Sequence, residues 1–150
     1  MTTKTPASHQ ANLVSIRIIS DDVARLAAFY EEITGTAVRW LTPDFVELCT
    51  PSGTLAIGST GTVALFGPGS ARPADNHTAI IEFLVDDVDR EYDRMTQVSN
   101  SSSINSPIEF VNEPTTLPWG NRSLLLRDPD GNLVNLFTPV TPDAKAKFGR

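Results

Sequence analysis

Residues 15–30 read SIRIISDDVARLAAFY, and residues 80–95 read IIEFLVDDVDREYDRM. Laid over each other without a gap, Asp21, Asp22 and Val23 fall on Asp86, Asp87 and Val88. Each stretch opens with apolar residues at every second position, as a strand does. Each then continues with apolar residues three and four apart, as a helix does. A shared Asp-Asp-Val carries little by itself. Its place at the same strand-to-helix junction, with matching periodicity on both sides, marks an internal duplication. The chain is read as two copies of one module, with any site lying where the copies face each other.

In the first copy, alternation puts Val14, Ile16 and Ile18 on the face towards the helix and Ser15, Arg17 and Ile19 on the other. Asp21 or Asp22 caps the helix, whose apolar stripe is Val23, Leu26, Ala27, Tyr30 and Ile33, and Gly35 stops it. Short strands are expected over residues 37–41, 45–49, 54–57 and 62–66, separated by Pro- and Gly-containing turns. The Gly- and Pro-rich stretch GPGSARPADN at 67–76 reads as a linker. In the second copy, Ile80, Glu82 and Leu84 alternate with Ile81, Phe83 and Val85, and Val88, Tyr92 and Met95 keep helical spacing. A Ser/Asn-rich loop is expected over 99–106, then strands over 108–111, 122–127 and 132–137. The resulting plan is a flexible tail at 1–11, a first module at 12–67, a linker at 68–77, a second module at 78–139 and a loosely held tail at 140–150. The fold class is α+β, two βαβββ modules in tandem.

RDPDGNLVNLF, residues 127–137, is a tight hairpin in which Pro129 presets one turn dihedral and Gly131 supplies a positive φ. If Arg127 opposes Asn132, then Arg122 and Asn135 share one sheet face, with Leu124, Leu133 and Phe137 as apolar walls.

Hydrophobic residues at 40% and charged residues at 20% are ordinary for a globular domain, and 150 residues suffice for one core. No apolar run is long enough for a bilayer, and the N-terminal residues lack the apolar centre of a signal peptide. With Cys49 the only cysteine, an internal disulfide is excluded and a cytoplasmic location is expected. The net charge of −6, with scattered basic residues, argues against nucleic acid and favours a neutral or cationic small molecule. Gly-rich phosphate loops, paired-cysteine knuckles and nucleophile motifs are all absent from the sequence.

The repeated module, the helix carrying Asp22, Phe29 and Tyr30, and the closing DPDGN hairpin together resemble the vicinal oxygen chelate superfamily. Glyoxalase I, extradiol dioxygenases, fosfomycin-modifying enzymes and bleomycin-binding resistance proteins belong to that group. The resemblance covers roughly residues 12–139 and implies paired modules whose mixed sheet curls around a cavity, commonly in a homodimer. In metal-dependent members His or Glu stands at set positions. Carried over, these fall on Ser15, Ile80, Asn135 and, less firmly aligned, Ala64. Ala and Ile cannot bind a metal, and Ser and neutral Asn are poor ligands for a divalent ion. His9 and His77 stand elsewhere. No metal and no cofactor are therefore expected.

What remains as ligand-binding candidates are Arg17, Trp40, Glu82, Arg122, Asn135 and Phe137. Arg17 and Glu82 occupy matching positions of the two copies, so they either form a structural ion pair or orient a polar ligand. Trp40 either stacks on a ligand or covers a strand edge. Cys49 is expected to be a small buried hydrophobe. The function expected is a metal-free small-molecule-binding protein that sequesters a drug or toxic metabolite. The rivals are a glyoxalase-like lyase or isomerase, with unorthodox metal ligands or Glu82 as a metal-independent base, and an interaction module with no ligand.

Overall fold

The computed structural model describes residues 10–100 and 107–150. The expected tail at 1–11 lies mostly outside the described residues, as does most of the expected loop at 99–106. The first copy contains β1 (Ser15–Ile19), α1 (Val23–Thr34), β2 (Arg39–Thr42), β3 (Phe45–Cys49), β4 (Thr54–Gly58) and the short α2 (Thr60–Ala64). The second contains β5 (Ile80–Leu84), α3 (Val88–Asn100), β6 (Glu109–Phe110), β7 (Thr115–Thr116), β8 (Asn121–Arg127) and β9 (Leu133–Pro139), and α4 (Pro142–Lys147) follows. Two mixed sheets result, ordered β1-β4-β3-β2 and β5-β9-β8-β6, with β7 beside β8. Each first strand runs parallel to the last strand of its own copy. The duplication seen in the sequence is thus a duplication of topology.

Both helices start as the shared Asp-Asp-Val requires. Asp22 accepts a bond from the Arg25 amide at 3.1 Å, and Asp87 does the same for Arg90 at 3.2 Å, satisfying amides that have no partner inside the helix. Gly35, at φ 68°, ends α1 in the left-handed conformation that glycine adopts without strain. Each helix lays its stripe on one face of its sheet, and the two layers share a single core. Tyr30 and Met95, which coincide in the repeat, are both fully buried there with Leu48, Ile57, Leu124 and Leu136.

Two polar ties lock the copies together. The Tyr30 hydroxyl donates to Asp128 Oδ2 at 2.7 Å, from α1 into the hairpin between β8 and β9. Arg94 on α3 reaches Glu32 Oε1 at 3.2 Å and the Glu32 carbonyl at 3.0 Å, supplying donors to the C-terminal end of α1.

Three expectations change. Residues 62–66 are not a strand: β4 is already flanked by β1 and β3, and Thr62 turns the chain into α2 by bonding the Ser59 carbonyl through both its amide (3.0 Å) and its hydroxyl (2.7 Å). The hairpin register is displaced by one residue, pairing Arg127 with Leu133. The cause is Asp128, which is buried and holds Asn132 through its amide (2.9 Å) and its side chain (2.8 Å), so that Asp128 and Asn132 close the loop. Residues 140–150 are no loose tail either. Thr141 caps α4, Ala144 is buried, and Phe148 packs on Phe137 with ring centroids 5.2 Å apart. No helix among the described residues is long and apolar enough to cross a membrane.

Burial first, then the Asp128 charge, pushes the Tyr30 phenol well above its usual 10.0. The folded protein therefore keeps this proton after an unfolded chain has released it. The stability it brings is complete below about pH 10 and is lost as pH rises through the folded value. Tyr30→Phe should cost about 1–3 kcal/mol at neutral pH, because Asp128 loses a donor inside the core. It should also flatten the alkaline fall in stability, as followed by urea melts between pH 8 and 11.

Candidate functional site

Strand pairing settles which side chains share a face. In the second sheet Leu124, Leu126, Val134 and Leu136 pack under the helices, so Ser123, Leu125, Leu133, Asn135 and Phe137 point with Glu82 to the opposite side, the one the expected curl of the sheets would make concave. In the first sheet the concave row through Arg17 continues across Ala56 to Glu47 and Arg39. The sheets are separate, and their edge strands β1 and β5 border a cleft of about 240 Å³. Its walls include Val14, Ser15, Ile16, Thr54, Ile80 and Glu82, consecutive residues on each strand because the cleft views both strands edge-on. Glu82 is the one ionisable side chain among the described lining residues.

Glu82 is exposed, and Asn135, which lies directly across the β5–β9 pair, donates from Nδ2 to Glu82 Oε2 at 2.8 Å. A carboxylate only accepts, so this bond also fixes the orientation of the Asn135 amide. Its Oδ1 is left buried with no hydrogen-bond partner among the described residues. Asn135 itself is only 7% exposed.

The other candidates separate. Arg17 lies on the concave side, but its guanidinium rests over Phe45 (5.3 Å to the ring centroid) and Phe66 (5.8 Å), away from the cleft. Among the described residues no ion pair joins Arg17 to Glu82. Trp40 pairs with Val46 and so belongs to the helix-facing side of its sheet, half exposed at the edge. Arg122 is moved by the register shift to the helix-facing side as well, with Leu124. It grips Asp89 on α3 in a bidentate pair (2.9 and 3.0 Å), and that bond holds the Asp89 carboxyl below its usual 3.8. Phe137 stays on the concave side, covered by Phe148.

Of the carried-over metal positions, Ser15 and Ile80 both line the cleft, Asn135 stands behind Glu82, and Ala64 is in α2, off both sheets. A hydroxyl, an alkyl side chain and an amide already committed to a carboxylate do not fit a divalent ion. Among the described residues no three His, Cys, Asp or Glu side chains are grouped to hold a metal. Sequence reasoning missed Asn121, Ser123 and Phe148. The signal was present for the first two, since with the correct register they alternate with Leu124 and Leu126 onto the face of Asn135.

A family model described as the Glyoxalase/Bleomycin resistance protein/Dioxygenase superfamily matches residues 12–136. The uncharacterized protein YraH of Bacillus subtilis strain 168 is 24% identical over 131 residues, covering 83% of this chain and 96% of that protein. Among solved structures, a glyoxalase/bleomycin resistance protein/dioxygenase from Nocardioides superposes with a TM-score of 0.68 at 18% identity, over 91% of this chain and 88% of that one. A family enzyme from Burkholderia phytofirmans PsJN gives 0.70 at 19% identity, over 87% and 100%.

Cys49, expected to be buried, is exposed, because the alternation of β3 sends its buried neighbour Leu48 into the core instead. The folded protein should therefore react with a thiol reagent such as Ellman's without first unfolding. The same rate in urea would bear that out, whereas a large acceleration on unfolding would contradict it.

Proposed function

The chain belongs to the glyoxalase/bleomycin resistance protein/dioxygenase superfamily, and we propose that it is a metal-independent binder of a small organic molecule held at the cleft between β1 and β5. The observation that carries this reading is the pairing of Glu82 with Asn135 at the edge of that cleft. A single oriented carboxylate beside apolar and hydroxyl-bearing walls is how a pocket fixes the polar end of a mostly apolar ligand. The charge favours a cationic or hydrogen-bond-donating group, in line with the overall −6.

Size narrows the choice. Typical pockets for drug-sized ligands run from about 300 to 1,000 Å³, and the cleft offers about 240 Å³. Sequestration of a small metabolite therefore suits one chain better than sequestration of a large drug. Val14, Ile16 and Ile80 stay substantially exposed around the cleft. A homodimer that covers them would enlarge and close the site, which is the assembly we propose. Catalysis with Glu82 as a metal-independent base is the competing use of the same carboxylate.

Native mass spectrometry of freshly purified protein should find a co-purifying small molecule, and elemental analysis of the same sample should find no stoichiometric divalent metal. One equivalent of bound zinc, nickel, manganese or iron would refute the metal-independent reading. Ser15→Trp should fill the cleft and abolish binding while the fold survives, because Ser15 is exposed. Glu82→Gln should weaken a cationic ligand by about 1–3 kcal/mol, read by calorimetry.

A further inference from the structure

On the concave side of the second sheet, Ser123 Oγ, Asn135 Oδ1 and Asn121 Oδ1 are buried and have no hydrogen-bond partner among the described residues. Ser123 is 2% exposed and Asn135 is 7% exposed. The pairing of β8 with β9 puts all of them on one face: Asn121 lies opposite Pro139, Ser123 opposite Phe137, and Asn135 two residues before Phe137. Orphaned buried polar groups are rare, and several on one face are a reason to ask what they are built to meet.

The C-terminal segment reaches one end of this face, at Phe137. A Cβ at Gly120, just before Asn121, would collide with Thr141 Oγ1 and stand 3.0 Å from Ala144 Cβ. Phe148 rests on Phe137, the cross-strand partner of Ser123. The segment is folded against the sheet, but through few buried side chains. Within α4 only Ala144 is buried, and the outer latch is an ion pair of Arg150 with Asp86 at 2.7 Å whose side chains are 48% and 77% exposed. Exposed pairs of that kind stabilise little. Beside the Phe148–Phe137 contact the Ser123 hydroxyl, directly across the strand pair, stays without a partner among the described residues in the closed position.

We propose that residues 142–150 are a displaceable cover over a second part of the binding site, and that the covered face takes a ligand group rich in hydrogen-bond donors, such as an ammonium or a carboxamide. This rests on the small-molecule reading above and adds to it the face, the chemical class and the competition with the chain's own C-terminal segment. The class follows from the lining. Asn135 Oδ1 and the Glu82 carboxylate only accept, whereas the Asn121 amide and the Ser123 hydroxyl can do either. A carboxylate or phosphate would find acceptors facing it. The apolar body of the ligand would take the place of Phe148 on Phe137.

The test uses the full chain and three probes of one shape: 2-phenylethylammonium, phenylacetamide and phenylacetate. Amide NMR titrations are run on the wild type and on a Phe148→Ala/Arg150→Ala variant. The first two probes should shift the amides of Glu82, Ser123 and Asn135, with phenylacetate at least about tenfold weaker. The variant should bind them about three- to tenfold more tightly, because the binding-competent fraction rises when the competing cover is loosened. Probe binding should also speed amide exchange at Ala144 and Lys145. Equal affinity for phenylacetate, unchanged or weaker binding by the variant, slower exchange in α4, or no binding at millimolar probe would each overturn the proposal. Shifts confined to Val14–Ile16 and Thr50–Leu55 would overturn it too, while leaving the cleft reading of the function intact.

Discussion

The hydrogen bond from the Tyr30 hydroxyl to Asp128 is the constraint on which much else depends. Asp128 is almost fully buried, and a carboxylate there is tolerable only if its lone pairs are occupied. Tyr30, the Asp130 amide, and the amide and side chain of Asn132 occupy them. That set of donors does two things together. It ties the helix of the first copy to the hairpin of the second, and it closes the hairpin at Asp128 and Asn132. The closure sets the register of β8 on β9 and so decides which side chains face the concave side.

The duplication also shows how two copies of one module come to do different work. Positions that hold the module together serve alike: Asp22 and Asp87 cap, Val23 and Val88 begin the stripe, and Tyr30 and Met95, though different in chemistry, both fill the core. Positions facing away from the core have diverged. Arg17 settles over Phe45 and Phe66 in the first copy, while its counterpart Glu82 is held by Asn135 at the cleft. Packing constrains the helix-facing side, where a change of volume costs stability. The concave side is free to vary, which is why one architecture serves many chemistries.

Within the site, chemistry follows from what each group can give or accept. An amide committed to a carboxylate offers only its oxygen to anything else, and the remaining groups on that face mostly accept as well. The proposed preference for donors over anions rests on these acceptors together with the Glu82 carboxylate. Phe148 sets its apolar contact with Phe137 directly beside the Ser123 hydroxyl, unpartnered among the described residues, the place where the proposed cover meets this surface.

Sequence by itself determined the features that depend on neighbours along the chain. Repetition of strand, Asp-Asp-Val and helix was visible because periodicity is local, and the caps at Asp22, Asp87 and Gly35 follow from the bonds a helix end lacks. Alternation placed Glu82 and Asn135 on faces that proved to meet, since parity within one strand needs no partner. What tertiary structure alone decided is whatever depends on a second strand or on burial. A shift of one residue in the hairpin exchanges the faces of a strand, and it moved Arg122 from the expected cavity to Asp89. Residues 62–66 alternate like a strand but had no open edge of β4 to join, so they coil into and beyond α2. The C-terminal residues look polar and loose, yet Ala144 and Phe148 find apolar partners on a sheet face that only the assembled second copy presents.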